Sequence, residues 1–278
     1  IRWSTAPSVV KAFYRVVFTT ALLLPWALGR YRGEFRRMEL RDLGIAALTG
    51  VALALHFAAW FESLNHTSVA ASVTLVQTQP LFVAVGAWAL LDERLTRRML
   101  VGIVVALFGA ATMSLGDPAL ALVGLGDADA LAGTGMLGNA LALVGAVAAA
   151  AYVLAGRSLR QRVSLVPYVV VVYLACAAVL LAIAVAQSAP LVDYGRREWL
   201  LFLGMAVGPG IFGHTVINWA LAHVESGVVS VSLLGEPVGS TVLALLLLPG
   251  EIPTPTTVAG GAVVLFGIYI TAAARDRD

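Results

Sequence analysis

Glu236 stands inside a long apolar stretch with Pro237 beside it. At 1.5 Å of rise per residue, its place in segment 227–248 is close to a bilayer midplane. A carboxyl at that depth can exchange protons, or it can stay protonated and only hydrogen-bond neighbouring helices. Pro237 removes a backbone donor and frees a carbonyl one turn earlier, which suits a backbone lining a cavity. A second polar group of this kind is Gln77-Thr78-Gln79 ahead of Pro80. Lys11 and Arg15 lie four residues apart, so they share a helix face. Lys11 is near enough to a membrane end to snorkel, whereas Arg15 lies about two turns deep. Arg15 can bind a carboxylate, or it can pair with Glu236 or with Glu62, while Glu62 is an equally good partner for Lys11. His56 with Trp60 and His214 with Asn218 repeat the same i, i+4 spacing. Rings with polar tips suit recognition of zwitterionic or aromatic metabolites, and equally serve as satisfied donors between helices.

The elements that must hold these groups are membrane spans. Of 278 residues 60% are hydrophobic and 12% charged, and the mean hydropathy is +0.90. A soluble domain carries about a quarter charged residues, so these figures exclude a soluble enzyme, a nucleic-acid-binding module and a disordered chain. One cysteine, Cys176, excludes an internal disulfide and a cysteine metal cluster. Nine apolar segments are long enough to cross a bilayer: 9–28, 43–64, 68–91, 100–115, 136–156, 165–186, 199–222, 227–248 and 256–274. The longest link, Gly116 to Gly135, is rich in Gly, Ala and Asp and reads as an exposed loop. Thirteen arginines fall in one set of alternate links and only Arg2, Arg196 and Arg197 in the other. The arginine-rich side is therefore expected to be cytoplasmic, with the C-terminus inside and the Gly116–Gly135 loop outside. Gly133 to Gly138 matches G-x-G-x-x-G without a preceding strand, so it does not read as a dinucleotide site.

The chain also resembles itself. Leu64-Asn65-His66 through Gln79-Pro80 aligns with Leu221-Ala222-His223 through Glu236-Pro237 at an offset of 157, and Glu93, Gly102 and Leu107-Phe108-Gly109 align with Glu251, Gly260 and Leu265-Phe266-Gly267 at 158. Gln79 thus takes the place of Glu236, neutral in one half and ionisable in the other. The second half holds five spans and the first only four, so a ten-helix protein is expected, with its first helix ahead of Ile1. Five spans per half is an odd number, so the halves insert in opposite orientations. The expected fold is an all-α polytopic membrane protein of two inverted repeats. Residues 1–115 form the first repeat, 116–135 an external loop and 136–278 the second repeat.

The paired proline-centred helices, the Leu91-Asp92-Glu93-Arg94-Leu95 and Leu248-Pro249-Gly250-Glu251 ends, and the Leu-Phe-Gly helices after them resemble the EamA-type drug/metabolite transporter superfamily. The resemblance covers essentially the whole chain. It implies a secondary transporter of amino acids, related metabolites or drugs, working by alternating access, with outward export as the expected direction. An arginine is common near the place of Arg15 in that family, which favours a structural or gating role there. The substrate-binding set is read as His56, Trp60, Gln77, Gln79, His214, Asn218 and Glu236. The gating or charge-pairing set is Arg15, Lys11, Glu62, Pro80 and Pro237. No catalytic residue, metal or cofactor is called for. The expected partners are a small-molecule substrate, the lipid bilayer and protons as coupling ion, in a monomer or homodimer of the cytoplasmic membrane, with no nucleic acid. A non-transporting partner subunit or an intramembrane lipid-processing enzyme is the alternative.

Overall fold

The computed structural model describes residues 1–91, 94–122, 134–160, 162–213, 235–250 and 252–275. Among the described residues every regular element is helical. In chain order these are α1 (Ser8–Phe35), α2 (Leu40–His66), α3 (Val69–Val76), α4 (Gln79–Leu91), α5 (Arg97–Leu122), α6 (Thr134–Leu159), α7 (Leu165–Ala186), α8 (Arg196–Met205), α9 (Gly235–Leu247) and α10 (Pro255–Arg275). A π-helical turn, Ala206–Gly213, continues α8. Seven helical stretches among these residues are long and apolar enough to cross a bilayer, α3 and α4 together making one, and α9 is a shorter apolar helix. The all-helical membrane fold expected from the periodicity is therefore present.

Two features differ from the apolar pattern. Helix α5 runs on to Leu122, through the first residues of the segment expected to be a loop. Gly116 and Pro118 signal a break, but the Asp117 carboxylate accepts a hydrogen bond from Thr256 at the start of α10, and Ala119 to Leu122 are good helix formers. The span expected over 68–91 is two helices, α3 and α4, with Gln77 and Thr78 between them. The Pro80 ring would clash with the carbonyl of Val76, four residues back, so the regular ladder stops there. Thr78 Oγ1 then donates to the Leu75 carbonyl at 2.6 Å, and Leu81 N–H donates to the Thr78 carbonyl at 2.9 Å.

The chain forms two compact units, whose boundaries among the described residues fall within α2 and α6. Unit 1 comprises Ile1–Phe61 and Ala151–Trp219, and in it α1 packs along α7 and against α8 with its π turn. Its core includes Val10, Val16, Phe57, Phe61, Val172 and Phe202. A β-carbon at Gly50 would stand 2.5 Å from the Val172 carbonyl oxygen, so α2 and α7 meet backbone to backbone. Glu198 ties the segment ahead of α1 to α8, accepting from Ser4 Oγ at 2.5 Å, Thr5 N–H at 3.0 Å and Thr5 Oγ1 at 3.1 Å. Burial alone would push this carboxyl up, but those hydrogen bonds and the charge of Arg197 hold it below its ordinary value.

Unit 2 comprises Glu62–Ala150 and Ala220–Asp278, and its main contact is α5 against α10. A β-carbon at Gly109 would lie 2.7 Å from the Gly260 carbonyl oxygen, and one at Gly260 would lie 2.7 Å from that of Gly109. Gly102 and Gly267 stand in the same relation, at 2.7 and 2.6 Å. The offset of 158 maps Gly102 onto Gly260 and Gly109 onto Gly267. It therefore carries the contact of Gly102 with Gly267 onto the contact of Gly260 with Gly109. Such reciprocity is the mark of a two-fold relation between antiparallel helices.

Candidate functional site

Within unit 2, α3 and α9 pack together and bring two of the expected residues into contact. Gln77 Nε2 donates to Glu236 Oε2 at 2.6 Å. Gln77 caps α3, whose ladder Pro80 interrupts, so its side chain leaves the helix at the break. Glu236 lies in the first described turn of α9, and Pro237 beside it is buried. Thr241 Oγ1 donates to the Pro237 carbonyl at 2.7 Å, which satisfies one backbone acceptor near the carboxylate. Gln77 is eight residues beyond Val69, about 12 Å along the helix, which is near mid-depth for a span of this length. Gln79, the repeat counterpart of Glu236, opens α4 and is half-buried. Chemically, a carboxylate held by an amide donor can accept a proton or the ammonium of a solute in exchange for that donor.

Glu62 also belongs to unit 2. Its two carboxylate oxygens receive His66 Nε2 at 3.1 Å and Asn65 Nδ2 at 3.2 Å. Thr67 Oγ1 donates to Asn139 Oδ1 at 2.9 Å, where α6 approaches so closely that a β-carbon at Gly138 would stand 2.7 Å from the Thr67 backbone nitrogen.

Unit 1 holds the other described residues of the set. His56 and Trp60 stack along α2 with ring centroids 5.6 Å apart and an interplanar angle of 27°. Lys11 and Arg15 are buried on α1, at 4% and 8% exposure. The Arg15 guanidinium carbon lies 4.6 Å from the Phe57 ring centroid and 5.8 Å from that of Phe61. Neither phenylalanine was singled out by sequence reasoning. Their own i, i+4 spacing, one residue along from His56 and Trp60, was the available signal. His214 and Asn218 lie outside the described residues.

At the end of α1 nearest α8, Tyr14 stacks on Phe202 at 5.0 Å and meets Trp199 edge-on at 4.8 Å. Tyr14 Oη donates to the Leu191 carbonyl at 2.5 Å, and Trp199 Nε1 to that of Tyr194 at 3.0 Å. Rings with satisfied polar tips of this kind are typical of a membrane–water boundary.

Comparison with known proteins agrees with this architecture. The model of the EamA-like transporter family matches residues 2–115 and 136–273. Two proteins of Archaeoglobus fulgidus, each named an uncharacterized transporter, are similar to the chain. One is 24% identical over 96% of this chain and 88% of its own length, the other 32% identical over 77% and 72%. A protein of Pseudomonas aeruginosa named as the pseudopaline exporter CntI is 26% identical over 94% of this chain and 85% of its own. A solved crystal structure, 20% identical, superposes with a TM-score of 0.60 over 99% of this chain and 91% of that one, which bears on the fold alone. The resemblance carried by the proline-centred helices is borne out, and the chain belongs to the EamA-like transporter family.

Proposed function

We propose that this membrane transporter exports small amino-acid-like metabolites by alternating access, with Gln77 and Glu236 at its solute site and a proton as coupling ion. The observation that carries the reading is the 2.6 Å hydrogen bond between Gln77 and Glu236, beside Pro80 and Pro237. An ionisable group next to interrupted backbone at mid-depth is where the bilayer makes polarity expensive, about 2.5–3.5 kcal/mol for a charge on the insertion scale, so a task there is the default expectation. Protonation of Glu236 would remove the charge that a cationic amine needs, which makes solute and proton competitors for one carboxylate. That competition is the simplest form of exchange. Outward movement is supported by the exporter name of the Pseudomonas aeruginosa relative.

The proposed setting is the cytoplasmic membrane with the C-terminus inside. Contacts between helix ends are consistent with the alternation of links on which this orientation rests. Glu34 Oε1 accepts from Ser164 N–H at 2.6 Å, and Arg162 lies 3.2 Å from Asp42, all on the arginine-rich side. Thr67 with Asn139 and Asp117 with Thr256 tie ends assigned to the other side. Residues 1–115 and 136–278 are read as the two inverted repeats. The stacked His56 and Trp60 of unit 1 are proposed as a second recognition element, for solutes with rings.

Flux of labelled amino acids in proteoliposomes tests the reading. Wild-type flux is expected to follow an imposed proton gradient, and Glu236→Gln is expected to lose that response. Equal responses in both proteins remove the coupling. Flux unchanged when Gln77, Gln79 and Glu236 are altered together removes the site.

A further inference from the structure

Helix α1 is 28 residues long, about 42 Å, while the hydrocarbon core of a bilayer is about 30 Å thick. Counted from Ser8, about 20 residues cross that core, which brings its far boundary to the neighbourhood of Trp26. Trp26 and Tyr31 meet edge-on there, ring centroids 5.7 Å apart, and amphipathic rings of this kind gather at a membrane–water interface. Beyond them the chain carries Arg30, Arg32, Arg36, Arg37 and, at the start of α2, Arg41, all exposed. The same stretch holds the acids Glu34, Glu39 and Asp42, but two of these are engaged elsewhere. Glu34 accepts the Ser164 N–H at 2.6 Å and Asp42 lies 3.2 Å from Arg162, so both serve the link between α6 and α7. Among the described residues, no hydrogen bond or ion pair engages the five guanidiniums.

Their spacing joins these charges to apolar surface. Leu22, Trp26 and Arg30 follow one another every four residues along α1, and so do Leu28, Arg32 and Arg36, the last capping the helix with helical backbone. Each row passes from exposed apolar side chains to a guanidinium. Leu40, 88% exposed, adds an apolar side chain beside Arg41. A molecule that matches such a row has an apolar chain ending in an anionic head that accepts hydrogen bonds.

We propose that the end of α1 and the start of α2 bind an anionic phospholipid, its phosphate held by Arg30, Arg32 and Arg36 and its acyl chains lying along Leu22, Trp26 and Leu28. Guanidinium forks match phosphate oxygens two bonds at a time, and a basic segment beside a span is drawn to anionic lipid. A free phosphate ester would leave the apolar part of each row unmatched. The proposal goes beyond the transport reading and does not depend on Gln77 or Glu236. Its failure would leave their site standing, and a failure of proton-coupled flux would leave this one.

Dioleoylphosphatidylglycerol is the probe, with dioleoylphosphatidylcholine as the lipid of the same chains without net charge and glycerol 3-phosphate as the head without chains. For the purified full chain in a neutral detergent, the anionic lipid is expected to raise Tm saturably and the other two to leave it unchanged. Added salt should weaken the response, because exposed charges are screened. These arms decide on the wild type alone, whatever a variant does to folding. Arg32→Gln combined with Arg36→Gln should weaken the apparent affinity about 25-fold, at about fivefold for each basic residue beside an anionic surface. Arg97→Gln combined with Arg98→Gln, the same loss of charge at the exposed start of α5, should leave it intact. Equal responses to the two lipids, or a response indifferent to salt, would overturn the proposal. So would an equal response to glycerol 3-phosphate, which leaves a phosphate site only, or equal losses in the two double variants, which leave attraction to net charge only.

Discussion

Replacing Gly109 with alanine puts a methyl group where α5 and α10 touch. The new β-carbon would lie 2.6 Å from the Val264 backbone nitrogen and 2.7 Å from the Gly260 carbonyl oxygen, while ordinary contact begins near 3.4 Å. Both neighbours are backbone, so no side chain can rotate away, and the helices must separate by about 0.8 Å. A gap of that size forfeits roughly a quarter to a half of the dispersion well of each facing atom pair. Overpacking of this kind costs about 1–3 kcal/mol, and the better helix propensity of alanine returns about 1 kcal/mol. The expected net loss is up to about 2 kcal/mol. Gly29→Ala is the matched control, because nothing lies within 4 Å of a β-carbon there. It should gain about 0.5–1 kcal/mol from propensity alone. Gly260→Ala should behave like Gly109→Ala, since each β-carbon meets the other residue's carbonyl oxygen. One separation relieves both clashes, so the double variant should lose clearly less than the sum of the singles. Reversible unfolding in detergent, followed by circular dichroism, measures the four variants against the wild type. Gly109→Ala as stable as Gly29→Ala, or losses that simply add, would refute the reasoning.

Pro80→Ala supplies a backbone donor for the Val76 carbonyl and removes the ring clash, so α3 and α4 should join into one helix. That relieves a penalty of about 3 kcal/mol, and Tm should rise. Flux in proteoliposomes should fall, because Gln77 would no longer leave the helix toward Glu236; higher Tm with undiminished flux would count against the break having a role. The Glu198 carboxyl is held below its ordinary value, so its contribution to stability is full above that value and is lost as pH falls through the lower, folded one. Glu198→Gln should therefore lower Tm by several degrees at pH 7, the scale of about 1–2 kcal/mol for buried hydrogen bonds. The gap between the two proteins should narrow on acidification below about pH 4.5, and a gap that stays constant would sink this account.

The spans were legible because hydropathy at membrane length is set by the bilayer and not by tertiary contacts. The interruption of the third span was also legible through Pro80, although the break itself falls at Gln77 and Thr78, where the proline's clash with Val76 acts. The pairing of Gln77 with Glu236 was only half legible. Both residues stood out as polar at depth, but the offset of 157 matches Glu236 to Gln79, and only packing of α3 on α9 selects Gln77. The surroundings of Arg15 were hidden for a related reason. Within unit 1 the guanidinium lies over Phe57, a ring that charge reasoning does not point to. Charge attraction is visible in a sequence, whereas which ring lies beneath a cation depends on helix rotation. Helix α5 outran its sequence pattern because Thr256, distant in the chain, supports Asp117 where Gly116 and Pro118 suggest a stop.

The glycine crossing of α5 and α10 has a consequence for the proposed inverted repeats, in which the two halves are copies of one sequence. Away from a symmetry axis each copy can vary alone, as the difference between Gln79 and Glu236 illustrates. On the axis the copies touch each other through the same surface. A bulkier residue at Gly109 is resisted by Gly260, and one at Gly102 by Gly267, whichever half acquires it. Four positions therefore behave as two, and on that reading the crossing of α5 and α10 has little freedom to become asymmetric.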